Sequence, residues 1–409
     1  MSSLGKTIKK LVPQPVKAAL MNRYYQIRSQ RMHPLAYDPM AYPAGVNLLG
    51  YIYAEMGLGQ GCRCIAAALR ESGLPFTIVN YAEGPSARMD DRTWSDFVGP
   101  ARYGVNLVQI NADQIPRVRV RMGRDFWDKR CQIAHFAWEL PEFPSQWRAA
   151  CNCFDEIWTP SRFCTDAIAR QTDVPVYTMP FCIHPEISQP REREHFHLPE
   201  NRFLYLTMFD VNSVMERKNP IGAIRAYCRA FPDVTGRTGL VVKINNFTRL
   251  QKTDNTLYEL IRSRSDIFLL DEVLSRGDLN ALIQTCDCFV SLHRSEGFGL
   301  VLAEAMYLGR PVVATNWSSN TDFMTAENSC PVNYRLVPLE KDYAVYRRGQ
   351  HWAAADESHC VSYMRRLYED PAYYEAIARA GQASMQRQYS AQASAEFLLR
   401  RLTPILKGE

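Results

Sequence analysis

The chain has 409 residues, of which 46% are hydrophobic and 22% are charged. This composition is that of a globular protein long enough for two domains, and it excludes an intrinsically disordered chain. The formal net charge of +5 is too small to indicate nucleic-acid binding. No stretch approaches the roughly 20 apolar residues that a membrane-spanning helix needs. The twelve cysteines are spaced for neither a zinc site nor a disulfide framework, so we expect reduced thiols and no metal.

Residues 1–40 are predicted to be a basic N-terminal arm. Residues 1–31 contain seven lysines and arginines and no acidic residue, and apolar residues recur between them at roughly helical spacing. Such an arm could lie on an anionic membrane surface. It could equally be a solvated extension, because Pro13 and Pro15 interrupt any single helix. It lacks the apolar core of a secretory signal, so we expect a cytoplasmic protein, with the inner face of the membrane as a possible location.

Apolar runs alternate with helical patterns from about residue 45 onward. The first three are a strand at "GVNLLGYIY", a helix at "GCRCIAAALRESG" and a strand at "PFTIVNY". This repetition predicts an α/β protein with parallel sheets covered by helices on both faces. The expected units are a Rossmann-like N-terminal domain at 41–185, a linker at 186–201, a second Rossmann-like domain at 202–384 and a C-terminal helix at 385–409. The two doubly wound domains would face each other across a ligand-binding cleft.

The segment "SEGFGLVLAEAM", residues 295–306, joins a predicted strand to a predicted helix. Gly297 and Gly299 would allow a ligand to approach the backbone closely at the start of the helix. There the backbone N–H groups of Gly299, Leu300 and Val301 would point outward from a positive helix end. The turn therefore predicts a site for phosphate.

Two glutamates flank this predicted phosphate site. Glu296 precedes it and could accept hydrogen bonds from hydroxyl groups, while Glu304 lies inside the helix and could reach a second set of hydroxyls. A diphosphate with a sugar at each end, that is, a nucleotide sugar, fits this arrangement. Taken alone, the pair would more simply be a capping acid and a solvated helix residue. Arg217 and Lys218 in "MERKNP" favour the nucleotide sugar, because they would lie at the same sheet edge and bind its diphosphate.

The segment "SLHRSEGFGLVLAEAMYLGRPVVAT", with "ERKNP" upstream, resembles the retaining GT-B glycosyltransferases of family 4, also called group 1. That family includes bacterial mannosyl- and glucosyltransferases of polysaccharide assembly. The resemblance is strongest over residues 203–325 and implies the GT-B fold, with the last helix returning to the first domain. It implies that Glu296 contacts the transferred sugar, Glu304 the ribose, and Arg217 and Lys218 the diphosphate. Such enzymes use neither metal nor cofactor, because cations and a helix end stabilise the leaving group.

The resemblance also indicates further contacts with the donor. Phe298 belongs to the glycine turn, and Asn320 and Thr321 lie in the loop "NWSSNTDFM", which would face the donor. The family usually has a glycine near Ser319, and this chain departs from that pattern. Backbone groups near residues 268–275 would hold the nucleotide base.

Three residues of the first domain are candidates for the same cleft. Gly59, in "EMGLGQGCR", lies in a loop that faces the donor in the resembling family, although a tight turn explains it equally well. His135 and Glu139, in "HFAWELPEFPSQW", would approach the reacting sugar. The alternative is a core histidine beside tryptophans that anchor the sheet. The glycine spacing does not match the dinucleotide fingerprint, so NAD binding is weakly supported.

The resemblance predicts a retaining, metal-independent hexosyltransferase. Its donor would be GDP-mannose or a UDP-hexose, with GDP-mannose slightly favoured, and its acceptor a glycan or lipid-linked acceptor of a surface polysaccharide or lipopolysaccharide. The alternative is a non-catalytic sugar-binding or scaffold protein of the same shape, which would not need the whole set of two glutamates and two cations. A phosphorylase or an epimerase is a further alternative, but the sequence has no evident cofactor lysine or second phosphate pocket.

Overall fold

The computed structural model describes residues 14–84, 87–247 and 256–408. Within them, each half of the chain contains a parallel sheet of six strands. The first sheet consists of β1 (Val46–Gly50), β2 (Phe76–Asn80), β3 (Val105–Gln109), β4 (Cys131–His135), β5 (Glu156–Thr159) and β6 (Val176–Thr178). The second sheet consists of β7 (Phe203–Asp210), β8 (Thr238–Asn245), β9 (Ile267–Leu270), β10 (Cys288–Ser291), β11 (Val312–Thr315) and β12 (Cys330–Val332).

Helices flank both sheets, and buried apolar side chains fill the space between the layers. Those of the first half are α1 (Gln14–Gln30), α2 (Gly57–Ser72), α3 (Ile115–Met122), α4 (Arg124–Trp127), α5 (Arg148–Cys151) and α6 (Arg162–Ala169). Those of the second half are α7 (Met215–Lys218), α8 (Pro220–Ala230), α9 (Thr256–Arg262), α10 (Arg276–Thr285), α11 (Leu300–Tyr307), α12 (Glu357–Glu369), α13 (Pro371–Gln388) and α14 (Ala391–Lys407).

The strand order of each sheet shows where a ligand would bind. The order is β2-β1-β3-β4-β5-β6 in the first sheet and β12-β11-β10-β7-β8-β9 in the second. The order reverses between β1 and β3 in the first sheet and between β7 and β10 in the second. Loops that leave neighbouring strands at such a switch point diverge and open a crevice at the carboxyl edge. The predicted α/β architecture of two doubly wound units is confirmed, and the crevice of the second sheet lies after β7 and β10.

A buried row of amides fixes the register of the first sheet. Asn47, Asn106 and Gln132 are paired across β1, β3 and β4. The Asn47 amide donates to Asn106 Oδ1 at 2.9 Å, and the Asn106 amide donates to Gln132 Oε1 at 3.0 Å. Because a buried amide without a partner is costly, a shift of register by one residue would be strongly disfavoured.

Replacing Asn106 by valine should lower the free energy of unfolding by about 2–5 kcal/mol, since each buried polar group left unpaired costs about 1–3 kcal/mol. Urea-induced unfolding would measure the loss. The matched control is Asn152→Val, at an exposed asparagine of the same half of the chain. An equal loss in the two variants would contradict this role for the amide row.

Two further segments join the halves of the chain. The C-terminal helix α14 packs against α2 of the first half, and Arg401 on it contacts Glu156. The predicted linker, residues 186–201, packs on the second half, where Arg193 donates to Asp287 at 2.7 Å. The C-terminal helix therefore restrains how the two sheets sit relative to each other.

An antiparallel pair of strands, not predicted from the sequence, follows β12. It consists of β13 (Tyr334–Pro338) and β14 (His351–Ala355), and we call residues 334–355 the bridging hairpin. Its connecting residues reach across to the first half, where the Tyr346 ring lies 5.5 Å from that of Trp138. Its side chains buried in the core of the first half are Leu339, Tyr346 and Trp352. The hairpin thus covers one end of the crevice.

Candidate active site

The loops that leave β7 and β10 bring one carboxylate and two cations together at the switch point. Lys218 Nζ lies 2.6 Å from Glu296 Oε1, and an Arg217 guanidinium nitrogen lies 3.3 Å from Glu296 Oε2. Arg217 also donates to the Ser295 carbonyl at 2.8 Å. The three side chains that the sequence predicted as one group are therefore in direct contact.

The charges in this cluster are fixed at neutral pH. Burial would raise the pKa of Glu296, but Lys218 and Arg217 outweigh it and lower the pKa to about 2. Burial would lower the pKa of Arg217, but the facing Tyr346, Glu296 and Glu139 outweigh it and raise the pKa. The cluster therefore carries two positive charges against one negative charge. Arg217 Nε is buried and has no partner among the described residues.

The glycine turn leads directly into α11. Gly299 is the N-cap residue of this helix and has φ +89°, a left-handed value that favours glycine. Neither a side-chain cap nor an acidic residue occupies the first turn of α11. Leu300 and Val301, the first two residues of the helix, are half-buried. The positive end of the helix is thus placed beside Lys218 and Arg217, as a phosphate site requires.

Phe298 and Gly297 have packing roles within the same turn. The Phe298 ring is buried and lies 5.4 Å from that of Phe181 and 5.5 Å from that of Phe323. It anchors the turn to the core, and its side chain is not exposed to a ligand. Gly297 faces the first half of the chain, where a Cβ atom would lie 3.5 Å from Ala137 Cβ.

Glu304 lies inside α11 and is almost completely buried, so it is not a solvated helix residue. Its Oε1 atom is hydrogen-bonded to the guanidinium of Arg276, and its Oε2 atom is buried without a partner in the part of the chain that the structure describes. Burial raises the pKa of Glu304, while Arg276 and Arg63 oppose that rise. The sequence analysis missed both arginines. Arg276 could have been noticed in the sequence because it is the first residue of α10, and the first turn of a helix usually favours acidic residues.

Glu139 extends from the first half towards the same cluster. It is half-buried, and Arg217 and Tyr346 both interact with it electrostatically. Its carbonyl oxygen accepts a hydrogen bond from the Ser295 hydroxyl. The first half therefore closes directly over the glycine turn at this point, with the bridging hairpin alongside.

The structure places His135 in the core and Gly59 in a tight turn, as the alternative interpretations of these two residues predict. His135 is buried, its Nε2 lies 3.2 Å from the Met179 carbonyl oxygen, and burial lowers its pKa to about 4. It is therefore a neutral core histidine. A Cβ atom at Gly59 would lie 1.9 Å from the Ala54 carbonyl oxygen. This glycine thus serves a tight turn at the start of α2.

The loop after β11 supports the site through buried contacts. Asn320 is buried, accepts from His293 at 3.0 Å and donates to the Thr315 carbonyl at 2.9 Å, so both ends of its amide are engaged within the protein. Thr321 is exposed and donates to the Ser318 carbonyl at 2.7 Å. Neither side chain points a free group at the crevice, as donor binding would require.

Ser318 lies beside Ser319, near which the resembling family usually has a glycine. It has φ +72°, which a glycine adopts without strain, and its hydroxyl accepts from the backbone N–H of Glu296 at 2.9 Å. Ser318 thus has a strained backbone conformation, and its side chain stabilises the turn that carries Glu296.

Among the described residues, no group of three or more His, Cys, Asp or Glu side chains is arranged to hold a metal ion.

Residues 247–332, which include Glu296, Glu304 and Arg276, match the family described as "Glycosyl transferases group 1". No curated protein matches the sequence of this chain. Several solved structures share its fold. HepE of Anabaena, in complex with UDP and glucose, is 13% identical, with a TM-score of 0.65 over 88% of this chain and 99% of that one.

Two other structures match over most of this chain in the same way. A sucrose-phosphate synthase from Thermosynechococcus elongatus is 13% identical, with a TM-score of 0.63 over 89% of this chain and 100% of that one. A glycosyltransferase from Rickettsia africae ESF-5 is 12% identical, with a TM-score of 0.65 over 90% and 100% of the two chains. At this identity the likeness shows the fold, which is GT-B. The fold and the matched segment together support a glycosyltransferase.

Proposed function

We propose that the chain is a retaining glycosyltransferase that moves a hexose from a nucleotide-diphosphate sugar to a glycan or lipid-linked acceptor. The observation that carries the proposal is the half-buried Glu296 between Arg217 and Lys218, beside the N-terminus of α11. Two cations and a helix end form a site for a diphosphate. The single carboxylate is the group that a sugar hydroxyl would bind.

In the proposed reaction the protein supplies charge and position and forms no covalent bond. The bond between the sugar C1 and the phosphate oxygen breaks, and the negative charge on the diphosphate is stabilised by Arg217, Lys218 and the α11 N–H groups. The acceptor oxygen bonds to C1 from the same face, and its proton passes to the departing phosphate. Glu296 and Glu139 would hold the sugar, while contacts between the halves exclude water. We propose that this chemistry requires neither metal nor cofactor.

The identity of the donor is a separate part of the proposal. HepE was crystallised with UDP-glucose, and an O-GlcNAc transferase of similar fold, GtfA, with UDP and GlcNAc. These complexes support a UDP-sugar donor, whereas the sequence resemblance slightly favours GDP-mannose. UDP-glucose, UDP-GlcNAc and GDP-mannose are therefore the first donors to compare.

Each donor is incubated with the enzyme in EDTA, and hydrolysis of the donor is followed by proton NMR. A single donor should release its sugar, and the newly released sugar should first appear as the same anomer as in the donor. Appearance of the opposite anomer would overturn retention. Folded protein that hydrolyses none of the donors and is not stabilised by any of them would favour the non-catalytic scaffold.

We further propose that α1 holds the enzyme on an anionic membrane, where a lipid-linked acceptor for surface polysaccharide or lipopolysaccharide would reside. Tyr25 and Ser29 are buried on the side of α1 that packs against α3. The opposite side exposes an apolar stripe flanked by basic residues, and the helix contains no acidic residue. The exposed stripe consists of Val16, Leu20, Tyr24 and Ile27. Residues 1–13 of the predicted arm lie outside the described residues.

The face of α1 that points away from the body is the face that an interfacial helix presents to lipid. In the part of the chain that the structure describes, no helix has the length and apolar character to cross a membrane. The proposed association is therefore peripheral, at the cytoplasmic side where nucleotide sugars would be available.

Leu20→Glu should reduce binding to vesicles that contain phosphatidylglycerol at least several-fold, because it places a negative charge in the stripe. Co-sedimentation would measure the bound fraction. Hydrolysis of the soluble donor should not change. The matched control is Leu399→Glu, at another exposed leucine on a helix. Equal binding by the two variants would contradict the role of α1.

A further inference from the structure

Arg276 and Glu304 form a buried pair that joins α10 to α11 in the second half of the chain. The Arg276 guanidinium holds Glu304 Oε1, while Glu304 Oε2 is buried and has no hydrogen-bond partner among the described residues. Because Arg276 occupies Oε1, a ligand would hydrogen-bond to Glu304 through Oε2. Arg276 is itself about one-quarter exposed, at 28%, so the pair borders the crevice.

Arg63, on α2 of the first half, approaches the same pair from across the crevice. It is buried, and Asp91 Oδ2 lies 3.2 Å from its Nε. Arg63 also donates to the carbonyl oxygens of Ile52 and Ala54, at 2.9 and 3.1 Å, in the loop after β1. These partners of Arg63 all lie in the first half of the chain. Arg276 remains the direct counter-ion of Glu304.

We propose that Arg276 is a positioning residue for the donor nucleoside, which holds Glu304 ionised and turned so that Oε2 receives a hydroxyl of the ribose. This inference rests on the proposed function. The ribose is the matching group because its two vicinal hydroxyls are donors, and a carboxylate is an acceptor only while it is ionised.

The groups around Glu304 determine its protonation. Burial raises its pKa, and among the described residues Arg276 and Arg63 oppose that rise. The thiol of Cys64, on α2, also interacts with Glu304. A hydrogen bond with Cys182 and burial hold the pKa of the Cys64 thiol well above its usual value, so this thiol is neutral. Without Arg276, the folded-state pKa of Glu304 would rise further. The carboxyl would then be protonated at low pH and would ionise as the pH increases.

The test measures the Kd of the nucleoside diphosphate of the active donor by calorimetry between pH 6 and 9. The wild-type Kd should vary little. Arg276→Met should bind at least tenfold more weakly at pH 6 and recover as the pH rises and Glu304 ionises. Arg276→Lys, which keeps the charge, should restore most of the affinity. Glu304→Gln should bind weakly at every pH, and Arg276→Met should have little further effect in that background.

Each failure has a distinct meaning. Wild-type protein that binds no nucleoside diphosphate would overturn the proposed function itself. Wild-type binding with an Arg276→Met variant that is folded and equally tight at every pH would overturn only the role of Arg276. A pH-independent loss, unrelieved by lysine and additive with Glu304→Gln, would mean that Arg276 acts independently of Glu304, and would also overturn the inference. Thermal unfolding of each variant establishes that it is folded.

Discussion

Glu296→Gln should lower the rate of sugar transfer about 10²- to 10³-fold, the usual effect of removing one group that stabilises or orients a transition state. The substitution keeps the shape of the side chain and removes its charge. Glu296 is the carboxylate that would hold the transferred sugar, and it is ionised because Lys218 and Arg217 lower its pKa to about 2. Initial rates with the active donor would measure the loss.

The same substitution should leave the affinity for the nucleoside diphosphate unchanged or increase it. Without the carboxylate, Lys218 and Arg217 lose a competitor for the phosphates. Calorimetry with the nucleoside diphosphate measures this affinity, and Glu396→Gln, at an exposed glutamate on α14, is the control. Weakened diphosphate binding together with normal transfer would contradict the assignment.

The pKa of Glu296 also predicts the pH profile. Its folded value is below the usual value, so its ionised form contributes stability above the unfolded pKa, and that contribution is lost as the pH falls towards about 2. The rate of transfer should therefore show no ionisation of Glu296 between about pH 5 and 8. A rise in activity within that range, abolished in the glutamine variant, would contradict the low pKa.

Lys218→Met should differ from Glu296→Gln in its effect on diphosphate binding, which should weaken about 10- to 100-fold, since a hydrogen bond to a charged group contributes about 1.5–3 kcal/mol. The Lys218 side chain is about a quarter exposed and its Nζ lies 2.6 Å from Glu296 Oε1, so it can turn to a phosphate without opening the core. The transfer rate should fall as well, because the leaving diphosphate loses a cation.

Calorimetry and initial rates measure these effects, and Lys407→Met, at an exposed lysine near the C-terminus, is the matched control. A folded Lys218→Met variant with unchanged diphosphate affinity would remove Lys218 from the phosphate site. The contrast between the two substitutions separates the sugar contact from the phosphate contact.

The sequence was most informative where the site is local. Glu296, the glycine turn and Glu304 follow one another along a strand, a loop and a helix, so their arrangement could be derived from the elements themselves. Arg217 and Lys218 are distant in sequence, but the rule that parallel strands end at one edge brings them to the same place. The structure confirms this fold and brings the two cations into contact with Glu296.

Other parts of the site depend on contacts that no local pattern specifies. Arg276 matters because α10 packs beside α11, and Tyr346 because the bridging hairpin crosses to the first half. The placement of His135 and Asn320 depends on burial: His135 was predicted at a strand end and Asn320 in a loop, and the structure buries both side chains and engages them in hydrogen bonds within the protein. Their chemistry could be listed from the sequence, but their orientation could not.

We propose that the crevice binds a nucleotide sugar and breaks the bond between the sugar and the diphosphate. The consumption of UDP-glucose, UDP-GlcNAc and GDP-mannose in EDTA, measured by chromatography of the released nucleoside diphosphate, tests both steps. Wild-type protein should consume one of the three donors, and Glu296→Gln should consume it at least 100-fold more slowly, the lower end of the effect expected above. Equal consumption by both proteins, or none by folded wild-type protein with any donor, would contradict this proposal.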